Sequence, residues 1–387
     1  MVIRKLWKRG VRAVLLGVII IGITACDEKT LEDIATFVPM AATQAAELSQ
    51  PTQALETEQP NAVQTPTEQW YSLYFTDPQY PDNPATRHRE ILDALISVID
   101  SSRKSLDIAI YQLDLDEVGA ALLRAKQRGV RVRIVTDTDS LSTEKTLKDL
   151  KKKEIPVVDD KRNPIMHDKF MIVDGQAVWT GSYNWTSNCT FRNNNNAIFI
   201  HSAELAKSYQ AEFEEMFKDK QFGPTSPDNT PYPEVIIEGT RIQVCFAPED
   251  KCGDKVVQVI QKAQKSIRFM AFSFTHDQIG KALEKKYKAG VTVSGVFETR
   301  GSDTEHSEYE VLKKIKADVW QDGNPYVMHH KVFIIDEEVV VMGSFNFSKN
   351  ADTSNDENML IIYNKKIAQQ FLAEYQKILK QAKEPIK

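Results

Sequence analysis

The chain is short of cysteine, of positive charge and of long apolar runs, and each shortage narrows what it is. Four cysteines in 387 residues are too few for a disulfide-built scaffold, so the fold must rest on buried apolar cores. A formal net charge of −5 and a pI of about 5.9 argue against a dedicated non-specific nucleic-acid binder, while leaving room for a local basic groove. No run of Cys, His, Asp and Glu has metal-ligand spacing, so no metal or other cofactor is expected. The apolar run from Ala13 to Ile23 has about half of the roughly 20 residues that a bilayer-spanning helix needs. What is present is ordinary for a globular protein: 42% hydrophobic and 27% charged residues. The length suggests two domains plus appendages.

The amino terminus carries the first positive signal. Arg4, Lys5, Lys8, Arg9 and Arg12 precede the apolar run, and Thr24-Ala25-Cys26 follows it, as in a signal peptide spanning residues 1–26. Ile-Thr-Ala-Cys resembles a bacterial lipobox, which implies cleavage before Cys26 and lipidation of its thiol. The expectation is a protein anchored to a bacterial cell membrane and facing the periplasm or the exterior. Residues 27–67, rich in Thr, Gln, Glu, Ala and Pro, show no sustained periodicity and are expected to be a disordered tether. Export permits disulfides, so Cys245 and Cys252, which flank a proline-containing turn, are expected to be bridged. Cys189 has no activating base beside it and is expected to pack.

The globular region is a repeat. Lys104-Ser105 matches Lys265-Ser266, Gly119 matches Gly280 and Gly129-Val130 matches Gly290-Val291, all at an offset of 161 residues. His167 matches His329 and Gly181-Ser182 matches Gly343-Ser344 at 162. Chance similarity does not hold register so long, so the chain is a duplication. In each half helix-period and strand-period segments alternate. The predicted fold class is α/β: two duplicated α-β-α halves with mixed, mostly parallel sheets, packed around a pseudo-twofold active site. The first half spans residues 68–222 and the second 237–387, with a Pro-rich linker at 223–236.

The chemistry sits in the repeat. His167-Asp168-Lys169 and Asp174 are followed by Gly181-Ser182 and Asn184; His329-His330-Lys331 and Asp336 are followed by Gly343-Ser344 and Asn346. Both copies read H-x-K-x4-D, then G-S-x-N. Residues i and i+2 of a strand share a face, so each histidine sits beside its lysine. A lysine neutralises a phosphate oxygen, and Ser182, Asn184, Ser344 and Asn346 offer further donors to non-bridging oxygens. One histidine attacks phosphorus, and the other protonates the leaving alcohol and then activates water. Asp174 and Asp336 read as strand-ending structural groups, His330 as packing, and Asp137 and Glu298 as surface carboxylates.

Two such copies resemble the phospholipase D superfamily and its HKD motif, over the chain from about Trp70 to its end. The resemblance implies the same phosphohistidine mechanism, without a metal, and a carboxylate or amide holding the far nitrogen of each histidine. Counting 28 residues on from each histidine gives Asn195 for His167 and Glu357 for His329. A carboxylate stabilises imidazolium, which suits an acid; the expectation is therefore His167 as nucleophile and His329 as general acid. The compact halves resemble the cardiolipin hydrolase and bacterial endonuclease branch. The expected substrate is a phospholipid phosphodiester, met at the membrane by a monomer that carries both halves. A metal-independent nuclease on DNA or RNA, a phosphatidyl transferase resembling cardiolipin synthase and a surface-anchored non-catalytic binding protein are the alternatives.

Overall fold

Short apolar runs between turns form the central strands of two sheets. The structure, a computed structural model, describes residues 69–385; the signal segment, Cys26 and the tether lie outside them. The first half contains β1 (Tyr71–Phe75), α1 (Glu90–Ser101), β2 (Ser105–Ile110), α2 (Asp116–Gln127), β3 (Arg131–Thr136), α3 (Thr138–Thr143), α4 (Lys145–Lys152), β4 (Val157–Asp159), β5 (Lys169–Val173), β6 (Ala177–Gly181), α5 (Ser187–Phe191), β7 (Asn196–His201) and α6 (Ala203–Glu214). The second contains β8 (Glu234–Ile237), β9 (Thr240–Ala247), α7 (Cys252–Lys262), β10 (Ser266–Ala271), α8 (Asp277–Lys288), β11 (Thr292–Phe297), α9 (Glu308–Lys314), β12 (Asp318–Gln321), β13 (Lys331–Ile335), β14 (Val339–Gly343), α10 (Lys349–Thr353), β15 (Glu357–Tyr363) and α11 (Lys365–Lys383).

The sheets run β1-β7-β6-β5-β2-β3-β4 and β12-β11-β10-β13-β14-β15-β9-β8. The α/β class, the duplication and the mixed strand directions are as expected. The balance within each sheet is not: only β2–β3–β4 and β10–β11–β12 pair parallel, and every other neighbouring pair is antiparallel. Helical crossovers enforce parallel pairing only among those strands, while the chain from β5 and β13 onward returns through short connections. The linker boundary also moves. β8 begins at Glu234, inside the segment read as linker, and pairs with β9; the flanking prolines mask a run, Val235 to Ile237, that is apolar enough for an edge strand.

Alternation along the strands divides the apolar residues into three cores. Phe170 and Ile172 of β5 and Val332 and Ile334 of β13 face a central core that also takes in Tyr209 and Phe213 of α6 and Phe371 and Tyr375 of α11. Met171 and Val173 face outward onto α1 and α2, and Phe333 and Ile335 onto α7 and α8. Both faces of the motif strands are thus buried, which is why their sequences are continuously apolar. α2 and α8 are each followed by a left-handed glycine, Gly129 at φ +87° and Gly290 at φ +89°, which stops the helix at the same point of the repeat. Cys245 and Cys252 are disulfide-bonded, with Cα atoms 5.8 Å apart, and tie the end of β9 to α7. Cys189 is buried and free. No helix among the described residues is long and apolar enough to cross a membrane.

Candidate active site

β5 and β13 each begin at the motif lysine, so each histidine lies just outside its sheet, where the opposite half holds it. The backbone N–H of His167 donates to the carbonyl of Asp356 at 2.9 Å, and that of His329 to the carbonyl of Asn194 at 2.9 Å. Parallel bridges pair Met166 with Asp356 and Asn194 with Met328. These bridges deliver the next residue of each partner segment to the ring. His167 Nδ1 lies 2.8 Å from Glu357 Oε2; His329 Nδ1 lies 3.0 Å from Asn195 Oδ1 and 3.1 Å from the carbonyl of Ser182. The pairing is therefore crossed between halves. The expectation that Asn195 backs His167 and Glu357 backs His329 is corrected, because counting along one half cannot register a contact made across the pseudo-twofold axis.

All three partner atoms accept, so both Nδ1 atoms carry the proton and both Nε2 atoms are left for chemistry. The orienting groups are themselves held. Ser344 Oγ donates to Glu357 Oε2 at 2.7 Å, and Ser182 Oγ donates to Asn195 Oδ1 at 3.1 Å. Asn195 Nδ2 donates to the carbonyl of Cys189 at 3.1 Å, which fixes the amide's orientation. The two serines thus act on the groups behind the histidines, rather than on the phosphate oxygens expected from their alternation. Asn184 and Asn346, both buried, remain suited to binding those oxygens through the N–H donors of their side-chain amides. The glycines of the same motif are required by close approach. A Cβ on Gly181 would stand 2.3 Å from the carbonyl oxygen of Asn196, and one on Gly343 2.2 Å from that of Asn358.

Lys169 and Lys331 are each 1% exposed. Lys331 Nζ donates to the carbonyl of His329 at 2.9 Å, and Lys169 Nζ donates likewise to that of His167. The ammonium groups also face Tyr111 at 5.1 Å and Phe272 at 4.4 Å, rings whose edges pack on His167 and His329. Burial pushes Lys169 down to about 8, and burial together with Lys169 holds Lys331 well below its ordinary value. Burial and the two lysines hold both histidines well below theirs. Burial raises Glu357 to about 8 against the pull of Lys169. Two buried cations converging on the histidines make this a place for a phosphate.

These shifts set a pH profile. Below about pH 8 Glu357 is protonated and donates to Nδ1 of the neutral His167, which moves the ring proton onto Nε2; above it Lys169 loses its charge. We expect kcat/KM to follow a narrow bell with both limbs near pH 8. A rate constant flat from about pH 6 to pH 10 would contradict these assignments.

The remaining motif residues are structural. The Asp174 carboxylate accepts the backbone N–H groups of Arg103, Lys104 and Ser105, and Asp336 those of Gln264, Lys265 and Ser266. Each therefore pins the start of the neighbouring strand. His330 is fully buried as expected of packing, but it is also hydrogen-bonded across the halves, to Asn196 at 2.7 Å, and within its own half to Glu374 at 3.3 Å. Its counterpart Asp168 accepts from Asn358 Nδ2 at 2.7 Å. Asp137 and Glu298 are each 2% exposed, not surface groups. Glu298 accepts the N–H of Met328 at 2.7 Å and so steadies the approach to His329, and Asp137 caps α3. Sequence reasoning missed Tyr111, Phe272, Asn196 and Asn358, although the repeat offsets align both pairs. It also missed a group of carboxylates with metal-binding spacing, Glu212, Glu215 and Glu249, none of which belongs to either motif.

A family model described as "Cardiolipin synthase, PLD-like domain" matches residues 95–217 and 256–379, once in each half. The chain is 31% identical over 160 residues to a phospholipase D of Rickettsia prowazekii (strain Madrid E), covering 41% of this chain and 78% of the relative. It is 32% identical over 167 residues to a mitochondrial cardiolipin hydrolase of Homo sapiens, covering 43% and 63%. A phosphatidylserine synthase of Haemophilus influenzae Rd KW20 aligns over 79% of this chain and 87% of its own, with a TM-score of 0.58 at 15% identity; that likeness is one of fold.

Proposed function

The chain belongs to the phospholipase D-like family, with one matched domain in each half, and on that premise we propose that it hydrolyses the head-group phosphodiester of a phospholipid such as phosphatidylcholine or cardiolipin. The observation that carries the reading is the crossed pair: two histidines whose Nδ1 atoms are engaged by the opposite half, beside two buried lysines. The phosphate enters between the lysine ammonium groups, with Asn184 and Asn346 beside it. Its negative charge offsets the two cations and lets His329 hold a second proton.

His167 Nε2 then forms a bond to phosphorus as the bond to the leaving oxygen breaks, and His329 Nε2 gives that oxygen its proton. In the second step His329 takes a proton from water, the water oxygen bonds to phosphorus, and the bond to His167 breaks. The roles are those expected from the sequence, on a different ground. Phosphorylation of Nε2 leaves positive charge on the ring, which the Glu357 carboxylate at Nδ1 offsets. His329 is backed by neutral carbonyl oxygens, so its imidazolium is the stronger acid and gives up its proton more readily. Lipidation of Cys26 would hold this chemistry at the membrane where the lipid is.

A nuclease reading is favoured by one observation. Tyr80 stacks on Tyr326 at 6.1 Å, and Arg192 lies 5.1 Å over Tyr326, on the segment leading to His329; aromatic rings with a cation can stack an unpaired base. The deciding experiment incubates the purified full chain with phosphatidylcholine, cardiolipin or single-stranded DNA, with His167→Ala as control. We expect release of the head group or of phosphatidate, and its loss in the variant. Adding a primary alcohol reads transfer as a second lipid product. Cleavage of DNA alone would replace the lipid reading, and no turnover of any substrate would end the catalytic one.

A further inference from the structure

A second constellation of charge lies behind the first catalytic motif. α6 ends by widening into a π turn, Glu215–Asp219, an irregularity that often marks a functional site. Glu212 and Glu215 project from this stretch of the first half, and Glu249 comes from the β9–α7 turn of the second. One carboxylate oxygen of each lies within 4.8 Å of the others. Glu212 and Glu215 are each 3% exposed. Glu212 Oε1, Glu215 Oε1 and Glu249 Oε2 are buried without a hydrogen-bond partner. Their sequence neighbours do have cations: Glu214 pairs with Arg133 and Lys218, and Asp250 with Lys255.

An independent group points to the same place. Asp168 is fully buried, and its Oδ2 has no partner. It is not one of the three, yet its charge acts on each of them. Ser226 lies beside Glu215 as a further oxygen. Unpaired carboxylates packed this closely must take up protons or bind a cation. Burial and mutual repulsion raise Glu215 to about 8, Glu249 to about 7 and Glu212 well above its ordinary value. An all-oxygen set favours a hard cation over zinc. Oxygens up to 4.8 Å apart fit around one ion with bonds of about 2.3–2.6 Å, as calcium makes; magnesium wants about 2.0–2.1 Å and keeps several waters.

We propose that Glu212, Glu215 and Glu249 bind one calcium ion, which clamps α6 of the first half to the β9–α7 turn of the second. The ion takes no part in the phosphoryl chemistry. Asp168, which lies between His167 and Lys169 in the chain and bonds to Asn358 of the second half, links the clamp to the catalytic motif.

The test uses the purified full chain, stripped with EDTA and then dialysed. Equilibrium dialysis against calcium chloride should recover one ion per chain, and thermal unfolding in 1 mM calcium should shift upward by roughly 4–8 °C, with a smaller shift in magnesium. Glu212→Gln should bind no calcium and show no calcium-dependent shift. In EDTA it should melt at or above the wild-type temperature, because the amide removes a buried like charge. Glu249→Gln should behave the same way and stands in if Glu212→Gln fails to fold. A wild-type chain that retains no calcium on dialysis overturns the proposal, as does a shift equal in wild type and variants. Tighter binding of magnesium than of calcium overturns the choice of ion. None of these readouts depends on turnover, so they stand apart from the fate of the phosphodiesterase reading.

Discussion

We expect His167→Ala to lower turnover by roughly 10⁴-fold or more and to remove any covalent phosphoenzyme. His329→Ala should lower it by about 10²–10⁴-fold but leave the first step possible. The difference is sharpest when the leaving group is varied. An alkyl alcohol needs a proton to depart, which the proposed mechanism draws from His329; an activated aryl alcohol departs as its anion. His329→Ala should therefore be much less impaired on aryl than on alkyl phosphodiesters. On the aryl substrates it should accumulate phosphoenzyme, because it also lacks the base that activates water. His167→Ala should be equally impaired on both. Acid quench of radiolabelled enzyme followed by peptide mapping reads the outcome. Label on His329 in the His167→Ala chain would reverse the roles.

Glu357→Gln is the second large effect, and it separates crossed backing from backing within one half. Glu357 lies 28 residues after His329 in the sequence but 2.8 Å from His167. The substitution keeps the volume of a fully buried side chain, and Ser344 can still donate to the amide oxygen, so the fold should survive. What is lost is the negative charge that offsets phosphorylation of His167, and the certainty of which atom faces Nδ1. We expect turnover to fall by up to about 10⁴-fold, the drop that follows when the carboxylate behind the histidine of a serine-protease triad becomes an amide. The fall should be the same for alkyl and aryl leaving groups, as for His167→Ala. Asn195→Ala should instead show the leaving-group dependence of His329→Ala. If Glu357→Gln behaves like His329→Ala, the pairing drawn from the structure is wrong.

Much of this site is legible in one dimension. The H-x-K and G-S-x-N runs, their duplication and the alternating helix and strand periods identify His167, Lys169, His329 and Lys331 and place them in two α/β halves. Those signals are local: a buried strand needs a continuous apolar run and a helix needs its stripe, whatever the rest of the chain does. The excess of antiparallel pairs was not legible, because strand direction depends on which strand a segment meets rather than on its own residues. The edge strand β8 was hidden among prolines for a similar reason.

Contacts across the pseudo-twofold axis belong only to the folded molecule. The backing of His167 by Glu357 and of His329 by Asn195, and the meeting of Glu249 with Glu212 and Glu215, all depend on how the chain closes in space, whereas Ser182 and Ser344 reach Asn195 and Glu357 within their own halves. Duplication shows that two like surfaces exist. Which side chain of one surface reaches which ring of the other follows from the bridges Met166–Asp356 and Asn194–Met328. The two halves share a core that takes in residues of α6 and α11, and no spacing along the chain encodes the register of those bridges. Residue types and periods thus decide the parts of this enzyme and its reaction class. The division of labour between its two histidines waits on how the halves close.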